Sequence, residues 1–505
     1  MTDRDFDALL RESMQDVPPE DLPETVNPWK RILALLLTGL IFISITLHFY
    51  NLDLFLPTLG WILMFTAFRS LRRENRWFRL CWVLSGIQVL YYGAVLILAA
   101  TVWYGRITGS LPFQVLFWVV LAGQLLLLVA LWQGLRAVRR KAGLEPGAGG
   151  ALALLLWKLA ILVLAWMQVD GTVLMIGVLI IYICILRSIW NLSKTLDEAG
   201  YLVENAPVHL SEPVLIFGTA AVVAVGVVCG SLLFHRYPMD WQQETVTQKP
   251  QVEEVKAQLL ALDFPEDVLC DLTDQEILAM KDAKRVVSGT EDHPMNEGRE
   301  VVDRTNGIHV SRVYDVQELR ITGVAVELPG DREQWQIIHH FRWVVDPKFY
   351  GTETIQFWPA WHLEEGWEKG TAPTGRVLCE RKGQTYWAPY YALGEQTFRQ
   401  NAMFFGNEEK TELFADFSMP RYAQNHRGYV TYLALEVQDG CILDDWMNYT
   451  HQTGVLQYPC RTAREQRMTD VFNLSGPFVT AQTAVQFYPF REDDRLHGYE
   501  NDENS

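Results

Sequence analysis

The chain has no Cys-x-x-Cys pair, no Cys/His set at zinc spacing, no His-Glu-x-x-His, no Gly-x-Ser-x-Gly and no calcium-loop signature. These absences leave no recognised zinc, serine-hydrolase or EF-hand chemistry to place, so no catalytic, metal or cofactor residue is assigned. The run Gly147-Ala-Gly-Gly150 follows no strand and carries no Lys-Ser/Thr, which excludes a phosphate loop. Cysteine is sparse, at seven in 505 residues, and three of the seven (Cys81, Cys184, Cys229) fall in apolar runs. The other four, Cys270, Cys379, Cys441 and Cys460, permit two disulfides in three pairings or remain buried thiols. Basic residues are scarce in the second half: residues 236–505 hold 26 Lys+Arg against 44 Asp+Glu, whereas residues 1–235 hold 17 against 16. The net charge of −17 therefore belongs to the second half, which argues against nucleic acid or anionic lipid as its main partner and leaves proteins, sugars or cations.

What the chain has in quantity is apolar sequence. Runs at 32–50, 54–68, 80–104, 111–135, 151–167, 173–186 and 214–234 predict seven membrane-spanning helices, the second short and interrupted by Pro57. The last run, 21 uncharged residues, is about 31 Å long as a helix, enough for one crossing. Lys and Arg concentrate at 30–31, 69–79, 136–141 and 187–194, while the alternate short loops hold only Arg106. Cytoplasmic loops retain basic residues, so the expectation is a plasma-membrane protein with a cytoplasmic N-terminus and everything after Arg236 outside. No cleavable signal peptide is expected, because the first apolar run begins only at Ile32 and further runs follow.

Residues 1–31 read as an acidic cytoplasmic tail with Phe6, Leu9, Leu10 and Met14 at helical spacing, and 32–235 as the transmembrane domain. Residues 236–306 read as a linker and small helical neck, in which Thr273-Asp-Gln-Glu276 has capping-box spacing and 288–306 form a disordered or extended join. From 307 to 490 the period becomes two. Trp335, Ile337, His339, Phe341, Trp343 and Val345 fall on one face of a strand, and His340 with Arg342 on the other, facing solvent. Turn signals at Pro329-Gly330-Asp331, Lys382-Gly383 and Asp439-Gly440 predict hairpins, and eight to ten strands predict an antiparallel β-sandwich. Residues 491–505 read as a disordered acidic tail.

Lys158 is the full charge well inside a predicted span and a candidate for an intramembrane role, although its stem is long enough to reach the interface. Gly226 and Gly230 in the last span form a small-xxx-small spacing suited to packing within the bundle or, second, to a homodimer. Trp358, Trp361, Trp367, Trp387 and Tyr390 make the middle of the outer domain aromatic and are candidates for stacking on a glycan or holding a peptide; filling the core is the plainer use. His339-His340, His362 with Glu364 and Glu365, and Asp444-Asp445 match no metal or acid/base spacing.

Asn27-Pro-Trp-Lys-Arg31, and Leu52-Asp-Leu-Phe-Leu-Pro-Thr-Leu-Gly60 leading into Phe68-Arg-Ser-Leu-Arg-Arg-Glu-Asn-Arg-Trp-Phe78, resemble a group of uncharacterised multi-pass membrane proteins of anaerobic Gram-positive bacteria. The resemblance covers about the first 100 residues and implies a single plasma membrane with the sandwich on the cell surface, but no activity. The reading that follows is a non-enzymatic envelope sensor, regulatory or surface-binding protein. Its bundle sits in the lipid bilayer, its outer domain meets a ligand or partner, and its inner face meets a cytoplasmic protein in a signalling role. A transporter or transport-complex subunit, and a membrane-anchored glycan-binding or glycan-active module, are the alternatives.

Overall fold

A computed structural model describes residues 28–44, 52–167, 172–201, 206, 210–245, 249–296, 298–303, 309–361, 366–402, 406–437, 443–455, 458–469 and 477–487. The amphipathic stretch before residue 28, Cys441, the Asp439-Gly440 turn, the His362 cluster and the tail 491–505 lie outside these residues. The chain divides into two units, residues 1–230 and 231–505.

The first unit is helical: α1 (Pro28–Ser44), α2 (Leu52–Leu71), α3 (Arg76–Leu98), the short α4 (Tyr104–Thr108), α5 (Leu111–Lys141), α6 (Gly149–Trp166), α7 (Thr172–Glu198) and α8 (Glu212–Leu233). Among the described residues six of these are long and apolar enough to cross a membrane, against the seven expected. The difference lies in α1, described as 17 helical residues, with the rest of the first apolar run outside the described residues. The Pro57 segment, expected to be short or irregular, is instead one continuous helix of 20 residues. Pro57 sits in the second turn and the helix carries on past it.

Contacts at the helix ends fix the order in which the chain runs. Arg31 at the start of α1 meets Glu212 at the start of α8 at 2.7 Å. At the end of α2, Arg69 donates to the Leu210 carbonyl at 2.9 Å. Glu74, between α2 and α3, accepts from Lys141 at the end of α5 at 3.0 Å and from the Tyr201 hydroxyl just after α7 at 2.6 Å. Asn75 caps α3 by accepting from the Phe78 amide at 2.9 Å and donates to the Gly134 carbonyl at 3.2 Å. One end of the bundle therefore gathers the starts of α1, α3 and α8 and the ends of α2, α5 and α7.

A core of Trp29, Leu36, Phe68, Phe78, Leu131, Tyr182 and Ile189 draws on α1, α2, α3, α5 and α7. By contrast α5, α6, α7 and α8 leave large apolar side chains such as Trp118, Leu156, Ile180, Phe217 and Val222 uncovered. A helix apolar on its outer surface belongs in lipid rather than water.

The second unit is a β-domain. One sheet runs β1 (Gln242–Gln243), β10 (Gln384–Ala388), β9 (Thr374–Arg381), β13 (Gln424–Glu436), β6 (Gln334–Trp343), β5 (Leu319–Glu327), β2 (Arg285–His293), with β8 (Trp367–Lys369) also on β13. The other runs β11 (Ala392–Ala402), β12 (Gly406–Phe417), β7 (Glu353–Trp361), β14 (Leu443–Gln452), β15 (Phe478–Phe487). All pairs are antiparallel. A separate hairpin joins β3 (Arg299–Asp303) to β4 (His309–Val313). Within residues 288–306, expected as a disordered or extended join, 288–293 and 299–303 thus lie in strands. The turn between β9 and β10 is the Lys382-Gly383 pair with φ of 51° and 75°, the positive-φ geometry expected there.

The two sheets face each other. Trp335, Ile337, Phe341 and Tyr432 of the first meet Ile355, Phe357, Phe417 and Tyr449 of the second, with the Phe341 and Phe417 rings stacked at 5.2 Å. The neck is α9 (Pro250–Ala261), α10 (Glu266–Asp271) and α11 (Asp274–Ala279), the last opened by the expected capping box of Thr273 and Glu276. Val252, Val255, Leu259 and Leu269 cover the other face of the first sheet through Val324, Ile338 and Tyr429. This third layer overturns one expectation: His340 does not face solvent but is 1% exposed beneath the neck. A short helix, α12 (Ala463–Thr469), lies on the second sheet.

Candidate functional site: an end pocket and buried ionic networks

Several buried ionic clusters tie the β-domain together. Asp271, at the end of α10, accepts from His340 Nε2 at 2.9 Å and from Arg427 Nε at 2.9 Å. Arg376 donates to the Asp271 carbonyl at 2.8 and 3.1 Å and pairs with Glu244 at 2.9 Å. Burial alone would raise the Asp271 pKa, but His340 and Arg427 outweigh it and hold the carboxyl below its ordinary value. A buried carboxylate is tolerable only when so partnered.

Between the sheets, His339 of β6 meets Asp445 of β14, which also accepts from the Tyr432 hydroxyl. Burial pushes the Asp445 pKa up, opposed by His339 and Tyr432. His339 Nδ1 has no partner among the described residues. Asp416 of β12, fully buried, accepts from Thr354 at 2.8 Å and pairs with Arg464 of α12 at 3.0 Å. Burial lifts it to about 6.

The last cluster opens on a cavity. Glu353 of β7 accepts from His451 Nδ1 at 2.7 Å, and the His451 ring stands edge-on to Trp343 at 4.9 Å. Trp343 Nε1 donates to the Tyr449 hydroxyl at 3.0 Å. Burial raises the Glu353 pKa against the pull of His451. His451 and Trp343 form part of the wall of a pocket of about 560 Å³, completed by Phe349 and Lys348 after β6 and by Arg299 and Glu318 near the β3–β4 hairpin. That volume lies in the range of small-ligand sites, about 300–1,000 Å³, and its wall mixes apolar surface with charges of both signs.

The aromatic candidates divide. Trp367 and Tyr390 are 3% and 8% exposed in the sandwich core, and Tyr390 donates to the Tyr429 carbonyl at 2.9 Å. Trp387 is half-buried under the neck with Arg376 over its ring at 5.9 Å. Trp358 is half-buried on β7 opposite Trp446. Trp361 lies on the same strand opposite Leu443, and its side chain is outside the described residues. None of the other four lines the end pocket. Its residues carried no motif; the one cue was Asp346-Pro347-Lys348-Phe349, a proline-bearing loop with an aromatic beside charges.

Within the bundle, Lys158 lines a cavity of about 30 Å³ with Ser44, Trp61 and Gln124. Gln124 donates to the Tyr92 hydroxyl at 3.0 Å, and Gln88 to the Val120 carbonyl at 3.0 Å. Gly226 and Gly230 face α3: a Cβ at Gly226 would stand 2.5 Å from Ile97, and one at Gly230 would stand 3.2 Å from Ala100. Among the described residues no three His, Cys, Asp or Glu side chains converge as metal ligands, and Cys270, Cys379 and Cys460 are free thiols, so the two-disulfide arrangement is not formed. Burial pushes Cys379 up to about 11, which makes it a poor nucleophile. No protein-family model matches the chain, and a search of curated proteins finds no match.

Proposed function

We propose that this is a multi-pass envelope protein whose extracytoplasmic β-domain binds a ligand and whose bundle connects that event to the cytoplasmic face. The observation that carries this reading is the end pocket. A volume of about 560 Å³, with Trp343 and Phe349 as apolar wall and Arg299, Lys348 and Glu318 as charges of both signs, suits a short peptide, which offers both charges and apolar side chains. A signalling role needs a connection across the membrane, and α8 is the covalent one.

The orientation is supported by the charge distribution. Arg31, Arg69 and Lys141 all engage partners at the bundle end where α8 starts, the arrangement expected of a cytoplasmic face. With α1 counted as a crossing, α8 then leads outward. A transport route through Lys158 has less to support it, because a cavity of about 30 Å³ holds little more than one water.

The test is a thermal-stability screen of the full-length protein against short peptides and cell-wall fragments. A ligand at 100 times its Kd should add about 2.7 kcal/mol. Lys348→Glu together with Phe349→Ala should abolish the gain. No stabilising compound, or a gain that survives these substitutions, would overturn the reading.

A further inference from the structure

The acidic balance of the β-domain conceals one basic area. Arg236, Arg381, Lys382 and Arg421 line two adjoining hollows of about 550 and 610 Å³, sharing Arg381, Lys382, Arg421 and Tyr422. None of the four cations forms a salt bridge with a described residue. The carboxylates in the same hollows are already engaged. Asp346 pairs with His426 at 2.8 Å, and Glu380 accepts from Asn425 at 2.6 Å and lies 3.5 Å from Arg427. Arg236 Nε and Arg381 Nε are buried without a hydrogen-bond partner, although another Arg236 nitrogen donates to the Met419 carbonyl. Burial, then Arg421 and Arg381 nearby, push the Arg236 pKa below its ordinary value.

Chain connectivity says where this area must be. Arg236 follows the end of α8 at Leu233 by three residues, a reach of about 10 Å at most. If α8 spans the bilayer, Arg236 lies in the headgroup layer, which adds about 5–7 Å on each side of the hydrocarbon, or within a few Å of its outer edge. The surroundings match that depth. Tyr422 is 90% exposed, Phe234 is 42% exposed, and Trp241 lies under the Arg381 guanidinium at 6.0 Å. Exposed aromatics beside arginines mark a membrane interface.

We propose that Arg236, Arg381, Lys382 and Arg421 form a binding site for the headgroup phosphate of an anionic phospholipid, which holds the base of the β-domain on the bilayer surface. Guanidinium groups suit this task because their forked N–H groups match phosphate oxygens in pairs. The site depends on α8 spanning the membrane but not on the end pocket, so either proposal survives failure of the other.

The experiment is native mass spectrometry of the full-length protein in micelles holding equal phosphatidylglycerol and phosphatidylcholine. The wild type should retain phosphatidylglycerol preferentially. Lys382→Asn with Arg421→Gln changes only exposed side chains and keeps a residue at position 382 that tolerates positive φ. At about fivefold per juxtamembrane cation, this pair should cut the preference about 25-fold. The control pair Lys284→Gln with Arg332→Gln should leave it unchanged. The proposal fails if the wild type shows no preference, if the Lys382/Arg421 pair retains it, or if the control pair loses as much. Free glycerol phosphate displacing the lipid at equal concentration would reassign the site to a soluble phosphate and also overturn it.

Discussion

Asp271 shows how much one side chain holds in this domain. It joins the neck to the first sheet through His340 and Arg427, and its own carbonyl takes the Arg376 guanidinium. Asp271→Asn would take from the buried Arg427 the nearer of its two carboxylate partners, leaving Glu380 at 3.5 Å, and breaking a buried pair costs about 3–5 kcal/mol. Chemical denaturation of the full-length protein should show that loss. Because the Asp271 pKa is depressed, its contribution is present above the unfolded value and disappears as pH falls through the folded one. Asp416 behaves oppositely. Raised from 3.8 to about 6 by burial, it favours the fold below about pH 4, and that contribution is lost as pH rises through about 6. The difference corresponds to about 3 kcal/mol. Asp416→Asn should flatten the pH 4–7 portion of the stability curve, and melting temperatures across that range would read it.

At the level of elements, α8 is the least embedded of the six span-length helices. It buries Gly230 but leaves Val214, Phe217, Val222, Val225 and Leu232 more than half uncovered, and its close approaches to α3 are at Val223, Gly226 and Gly230. Gly226→Leu would drive a side chain into Ile97, and overpacking of this kind costs about 1–3 kcal/mol. A lowered melting midpoint should follow, whereas Gly218→Leu, with nothing within 4 Å, should leave it unchanged. The strands show where sequence is readable. On β6 the alternation of Trp335, Ile337, His339 and Phe341 places them inward as expected, since a pleated strand has a strict period of two. His340 obeys the same period but not the expectation of exposure, because a polar residue on the opposite face looks solvent-exposed until a third layer supplies its partner. The Thr273–Glu276 cap was legible because all its partners lie within one turn; the Asp271 network was not, because His340 and Arg427 are 69 and 156 residues away from it.

For the molecule as a whole, a helical half followed by a β-rich half was plain from apolar run lengths and the change of period. The end pocket was not, because it is assembled from segments near residues 299, 318, 348 and 451 that become neighbours only in the folded sandwich. The Arg31–Glu212 contact carries one more consequence. The starts of the first and last helices of the bundle share a foot, so a change at the start of α1 is felt at the start of the helix that continues into the β-domain. A fluorophore attached at position 30, an exposed site beside that foot, would report movement of α8 without modifying it.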